Sequence, residues 1–203
     1  MLKIFIIRKR DYILDPTKAS SLPYWKTISL STNKEIKLVD KVEDSTLNKY
    51  YFRLVHYLKN IEKPSLSNDF EFASASLEEY AKHINACYDK IGVTKEELEE
   101  YKKHKVYDAS LWLAIKDKKT SEIVATLIAE FDDDIKEGII EWVEVSKEYR
   151  RMGLGEVLVK EALYRLKDKA KFVTISGDMN NPSKPVFLYE RCGFTNKRIW
   201  CIK

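Results

Sequence analysis

The stretch Arg150-Arg151-Met152-Gly153-Leu154-Gly155 holds two of the six glycines in a 203-residue chain. An apolar, strand-like run at 139–145 leads into it, and an amphipathic, helix-like run leads out. A strand that becomes a helix through a basic, glycine-bearing loop presents free backbone N–H groups at the positive pole of the helix dipole. That is an anion site, and phosphate is its usual occupant. A Walker loop needs Gly-x-x-x-x-Gly-Lys-Ser/Thr, which is absent, and a dinucleotide fingerprint needs a third glycine where Leu158 stands. What remains is Arg-x-x-Gly-x-Gly, matched by Arg150, Gly153 and Gly155. In that pattern backbone N–H groups hold a pyrophosphate and the glycines let it come close. The competing account of these six residues is an ordinary strand-to-helix turn.

The elements that position this loop are legible from residue 69 onward. Residues 70–73 alternate like a strand. Ser76 with Glu79 forms a capping box, followed by a helical stripe of Tyr80, Ile84, Cys87, Tyr88 and Ile91 that Gly92 ends. Thr94 with Glu97 opens a second, highly charged helix to about residue 104. Strands are expected at 111–115, 122–131 and 139–145, separated by a polar turn at 117–120 and by Asp132-Asp133-Asp134 with Gly138. Leu154, Val157, Leu158, Ala162 and Leu166 mark one face of a helix. A strand at 172–176, a helix at 186–192 begun near Pro185 and stopped by Gly193, and a strand at 194–202 complete the order. Upstream, residues 2–7 read as a strand, 47–61 as either a helix or a strand over 50–55, and 64–68 as a linker.

After the strand at 172–176 come Asn181, Ser183 and then Leu188-Tyr189-Glu190-Arg191-Cys192-Gly193-Phe194. With the loop, these residues resemble the GNAT superfamily, the acyl-CoA-dependent N-acetyltransferases. The resemblance covers roughly residues 69–203, in element order as well as motif. It implies an α/β fold with a mixed, mostly antiparallel central sheet, splayed between its fourth and fifth core strands and flanked by helices. It implies acetyl-CoA as the acyl donor and an amine as acceptor, joined by direct attack in a ternary complex. Arg150, Arg151, Met152, Gly153, Leu154 and Gly155 would bind the CoA pyrophosphate. Val143 and Val145 would pair their backbone with the pantetheine arm, and an N–H near Val143 would steady the oxyanion. Asn181 would hydrogen-bond the pantetheine, and Tyr189 would protonate the departing thiolate. The chain departs from the pattern at Lys147, where many members have proline. The interval from Asn181 to Tyr189 is one residue longer than usual, which leaves Asn180 as an alternative.

An amine must lose a proton before it attacks. Strand alternation places Glu141 on the face of Val143 and Val145, with Glu144 pointing away beside Trp142, so Glu141 is the preferred base, directly or through water. A surface carboxylate is the competing account of Glu141. Asp132 to Asp134 offer either a solvated turn or a recruiting patch for a cationic substrate. Cys192 reads as a small apolar residue at a helix end, and Trp112, Trp142 and Trp200 as core or pocket wall. Trp25 either lines the substrate mouth or staples the extension to the domain.

Composition sets the remaining bounds. The chain is 44% hydrophobic and 33% charged, which suits a soluble globular domain. No segment is long and apolar enough to span a membrane, and the basic cluster after Ile4-Phe5-Ile6-Ile7 reverses the order of a secretory signal. Cys87, Cys192 and Cys201 lack metal-type spacing and His56, His83 and His104 are scattered, so reduced thiols in a cytoplasmic protein without a metal site are expected. Residues 1–66 carry 13 Lys/Arg against 7 Asp/Glu and the rest 23 against 25. This divides the chain into a basic extension, 1–66, packed on the core as an added strand and helix, and an acetyltransferase-like domain, 67–203. The acceptor is expected to be a small-molecule or peptide amine. A nucleic-acid partner lacks any supporting motif, and an exposed C-terminal strand suggests a homodimer. Three rivals stand beside the acetyltransferase: a non-catalytic acyl-CoA sensor or scaffold, an acetyltransferase whose basic arm docks nucleic acid, and a nucleotide-dependent oxidoreductase.

Overall fold

The computed structural model describes residues 7–29, 36–43, 48–88 and 92–202. The chain forms two compact units, Met1–Tyr57 with Phe172–Lys203, and Leu58–Lys171. Both have the expected α/β character, with antiparallel strands and flanking helices.

The first unit begins with three short helices, α1 (Lys9–Leu14), α2 (Pro16–Ala19) and α3 (Tyr24–Ser29), followed by β1 (Ile36–Val39) and β2 (Lys49–His56). It resumes with β7 (Phe172–Asp178), α7 (Val186–Arg191) and β8 (Thr195–Ile202). Its strands lie in the order β1-β8-β2-β7, all antiparallel. Within the ambiguous stretch at 47–61, Lys49–His56 is a strand because Phe52, Leu54 and Val55 are buried between two neighbours that satisfy its backbone. Strands β1 and β2 of the expected extension thus share a sheet with the C-terminal strands, since β2 sits between β7 and β8. The expectation of an exposed C-terminal strand is corrected: β1 pairs Ile36 with Ile202 and covers the other edge of β8. Of the expected strand at 2–7, all but Ile7 lies outside the described residues, and Ile7 is not in a strand.

Arg53 anchors this unit. It is 1% exposed, and its guanidinium donates to Tyr12 Oη at 2.6 Å, Ser176 Oγ at 2.9 Å and Thr174 Oγ1 at 3.1 Å. Tyr12 is buried between Tyr24 and Phe172, and its hydroxyl donates to the Leu22 carbonyl at 3.1 Å. Trp200 Nε1 donates to the Thr17 carbonyl at 2.9 Å. The N-terminal helices are therefore bonded to β2, β7 and β8 through groups that have no water to fall back on.

The second unit contains β3 (Phe70–Ala73), α4 (Leu77–Cys87), α5 (Lys95–Tyr101), β4 (Tyr107–Asp117), β5 (Ile123–Asp132), β6 (Glu137–Val145) and α6 (Leu154–Leu166). Its strand order is β3-β4-β5-β6, again antiparallel. Both capping boxes form, with Ser76 Oγ accepting from the Glu79 N–H at 3.2 Å and Thr94 Oγ1 from the Glu97 N–H at 3.1 Å. Helix α4 stops at Cys87, earlier than the stripe to Ile91 implies, and Ile91 lies outside the described residues. Tyr88 is extended, and Asn85 clamps the Val93 backbone through both its amide groups at 2.7 and 2.9 Å, which draws the chain back over the last turn. Gly138 falls inside β6 opposite Phe131, because the turn needs only the residues between Asp132 and Glu137.

Gly177 of β7 lies opposite Phe52 of β2, and a Cβ there would run into the Phe52 ring. Gly177→Ala is expected to lower stability by about 1–3 kcal/mol through overpacking. Chemical denaturation checks this, and an unchanged midpoint would mean that Phe52 can move aside.

Candidate functional site

In the second unit, β6 runs through a 3-10 turn, Lys147–Tyr149, and the Arg150–Gly153 loop into α6. Arg151 and Gly153 both have positive φ, +70° and +83°. Nothing lies within 4 Å of a Cβ built at Gly153, so backbone conformation and not crowding calls for glycine there. Gly153 is the N-cap of α6 and caps it with no side chain. The first N–H groups of a helix have no intrahelical acceptor, so an uncapped N-terminus favours an external anion. Leu154, 2% exposed, fixes the helix start in the core, while Arg150, Arg151 and Met152 are exposed. Arg150 Nε donates to the Val145 carbonyl at 3.2 Å, which ties the loop to the end of β6.

Val143 and Val145 are half-buried and pair with Leu127 and Ala125. The ladder shifts register between Ile128 and Ala129: Trp142 faces Ile128 but Ile140 faces Ala129, leaving Glu141 as the extra residue of a bulge. Regular alternation therefore does not run through Glu141, which is half-buried. Asp132 is 1% exposed, whereas Asp133 and Asp134 form ion pairs with Lys136 and Lys105.

Glu144 is a feature that composition and spacing missed. It is 3% exposed, and its Oε1 accepts from the Tyr88 hydroxyl at 3.2 Å. Burial pushes its carboxyl up to about 8, while the Tyr88 and Thr126 hydroxyls and the Val143 backbone pull the other way. Beside it, His83 bridges Thr126 Oγ1 at 2.9 Å and Ser146 Oγ at 3.0 Å, joining α4 to β5 and to the residue that opens the turn before the loop. Burial lowers the pKa of His83 and raises that of Cys87 to about 11. The expected helical stripe included Cys87 and Tyr88 but not His83, and gave none of their partners; Tyr88 stands just past the end of α4.

In the first unit, Tyr189 of α7 is 6% exposed and packs its ring against Phe52 and Phe194, at centroid distances of 6.0 and 6.2 Å. Cys192 is the buried C-cap of α7. Asn181 Oδ1 accepts from the Ser183 N–H at 3.0 Å and the Ser183 hydroxyl at 2.7 Å, so its carbonyl holds a local turn. Asn180 is exposed and donates its backbone N–H to Asp178.

The acetyltransferase (GNAT) family model matches residues 77–194, more than half of the chain. The chain belongs to the GNAT family. The GNAT fold is also that of a GCN5-related N-acetyltransferase from Sphaerobacter thermophilus, at a TM-score of 0.61 and 19% identity over 76% of this chain and 51% of that one. Ard1 from Thermoplasma volcanium aligns at 0.53 and 13% identity over 66% of this chain and 96% of that one. A functionally unknown conserved protein from Staphylococcus epidermidis aligns at 0.55 and 14% identity over 95% and 77%. The chain spans about half the length of the first structures it matches. No curated protein matches it. Among the described residues no helix is long and apolar enough to cross a membrane, and no group of three or more His, Cys, Asp or Glu side chains could hold a metal ion.

The raised pKa of Glu144 links stability to pH. Between the ordinary carboxyl value and about 8 the folded state binds the proton more tightly than the unfolded chain, so stability falls as pH rises through that window. Glu144→Gln is expected to remove up to about 1.4 kcal/mol of this loss per pH unit. Denaturation midpoints of both proteins across the window check this, and parallel profiles would exclude the linkage.

Proposed function

We propose that this GNAT protein is an N-acetyltransferase that moves an acetyl group from acetyl-CoA to a primary amine by direct attack in a ternary complex. The observation that carries the reading is the left-handed Gly153 N-cap, which opens α6 with exposed Arg150 and Arg151 beside uncapped N–H groups. Arg150, Arg151, Met152, Gly153, Leu154 and Gly155 are assigned to the CoA pyrophosphate, and the backbone of Val143 and Val145 to the pantetheine. The amide N–H of Val143 is the proposed oxyanion donor. Asn181 is assigned a pantetheine hydrogen bond through its amide nitrogen, since its carbonyl is engaged with Ser183.

The chemistry has three proton events. The acceptor ammonium loses its proton to Glu141, directly or through water. The free nitrogen attacks the thioester carbonyl, forming the C–N bond and a tetrahedral oxyanion. Collapse breaks the C–S bond, the thiolate takes its proton from the Tyr189 hydroxyl, and the nitrogen gives its second proton to the tyrosinate left behind, so that a neutral amide and a free thiol result. The half-buried bulge position of Glu141 supports its assignment, because bulges re-aim a side chain next to active sites. The expectation of a cytoplasmic enzyme acting on a small-molecule or peptide amine is part of the same proposal.

Three variants test it. Gly153→Ala forces a Cβ into a left-handed backbone and is expected to raise the Kd for CoA on the order of tenfold, read by calorimetry. Tyr189→Phe keeps the aromatic packing and is expected to lower kcat by about 10²–10⁴ while CoA still binds. Wild-type turnover in that variant would remove Tyr189 from the acid role. Glu141→Gln is expected to flatten the alkaline-side rise of kcat/KM, and an intact profile would move the base elsewhere.

A further inference from the structure

In the first unit, the corner where α7 turns into β8 carries Tyr189, and part of what packs there comes from outside the family match. That match begins at residue 77, whereas Phe52 and His56 belong to β2. Strand alternation puts both on one face of β2. Phe52 meets the Tyr189 ring at a centroid distance of 6.0 Å. His56, 7% exposed, stands edge-on to Phe194 at 5.4 Å, and Phe194 meets the Tyr189 ring at 6.2 Å. The Phe194 N–H also donates to the Tyr189 carbonyl at 3.1 Å, which couples the two residues through backbone as well as ring.

Two backbone features bring His56 under this corner. Gly193 has φ +92°, and a Cβ there would lie 2.9 Å from His56 Nε2. The imidazole thus fills the space beneath the turn that a side chain would take. The second feature is a bulge. Arg53 pairs with Arg198 but Val55 with Thr195, which leaves Asn196 and Lys197 together against Leu54. Asn196 takes the left-handed conformation, φ +55°. The extra residue advances the register, so that His56 and Phe194 follow Val55 and Thr195 as opposed residues, in keeping with their ring contact. Without it, the pairing of Arg53 with Arg198 would run on to set Phe194 opposite Tyr57, and a one-residue slip turns side chains to the other face. Burial lowers the pKa of His56, so at neutral pH its ring is an uncharged packing surface.

A phenol, with a reference pKa of about 10, delivers its proton to a thiolate only with favourable positioning. Tyr189 sits on a helix of six residues, and its ring is held by Phe52 directly and by His56 through Phe194. We propose that His56 is a positioning residue for acetyl transfer: acting through Phe194, it fixes the angle at which Tyr189 presents its hydroxyl. The N-terminal stretch thereby supplies part of the geometry of proton delivery. This inference rests on the acetyltransferase reading and on Tyr189 as its acid. No bond or proton changes at His56 itself.

The test is a double-mutant cycle of His56→Ala and Tyr189→Phe in the full chain. It is read by thiol release from acetyl-CoA with n-butylamine, putrescine and glucosamine as acceptors. His56→Ala is expected to lower kcat by about ten- to a hundredfold, with the Kd for CoA unchanged. In the Tyr189→Phe background the same change is expected to cost nothing further, because the hydroxyl it positions is gone. An equal loss in both backgrounds makes His56 a purely structural residue and overturns the proposal, as does wild-type kcat in His56→Ala. His56→Gln keeps a polar group of similar reach without the ring. It is expected to show the same pattern, and it carries the test if the alanine variant does not fold. Fluorine NMR of the chain labelled with fluorotyrosine separates the two readings, with the Tyr189 signal assigned by its loss in Tyr189→Phe. That signal is expected to shift or split in His56→Ala. A shifted signal in a chain that releases no thiol with any of these amines sinks the transferase and leaves the hold of His56 on Tyr189 standing. An unmoved signal in a chain that turns over sinks the positioning role and leaves the transferase standing.

Discussion

A charged or ionisable side chain withdrawn from water must find replacement partners in the protein, and each unit is organised around one such group. In the first it is Arg53. Its hydroxyl partners Tyr12, Thr174 and Ser176 come from segments far apart in the sequence, so these bonds from the guanidinium form only when the N-terminal helices, β2 and β7 are in place together. That requirement makes the N-terminal stretch an integral part of its sheet. The family model matches residues 77–194 and so does not include β2, the strand on which β7 and β8 both depend.

In the second unit the group is Glu144. Tyr88 donates to one oxygen, the other has no hydrogen-bond partner among the described residues, and burial pushes the carboxyl up to about 8. The cluster sits at the end of β6, just ahead of the loop whose left-handed Arg151 and Gly153 open α6. His83 is the physical link between the two, since its bond to Ser146 holds the residue from which the turn departs. A proton-bearing carboxyl and an uncapped helix end thus share one local scaffold.

Much of this was legible along the chain. Helix α6 begins and ends where the stripe of Leu154, Leu158, Ala162 and Leu166 predicts, and both capping boxes form, because a cap is a contact between residues three apart. The loop, its glycines and the element order that led to the GNAT family were equally local signals. The misses were non-local. The end of α4 is set by the Asn85 clamp on Val93. The interior position of β8 is set by β1, more than 150 residues earlier in the chain. The alternation that grouped Glu141 with Val143 takes no account of the bulge, which appears only when β6 is paired with β5.

The sequence by itself determined the periodicities, the caps, the Arg-x-x-Gly-x-Gly loop and through them the family, since each depends on residue types at fixed short spacing. Only the tertiary structure decided that residues 49–56 are a strand between β7 and β8, and that Glu144 is a buried carboxyl whose pKa burial raises. The reason is desolvation. Whether a side chain keeps its water depends on what other parts of the chain fold over it, and no spacing along one strand records that.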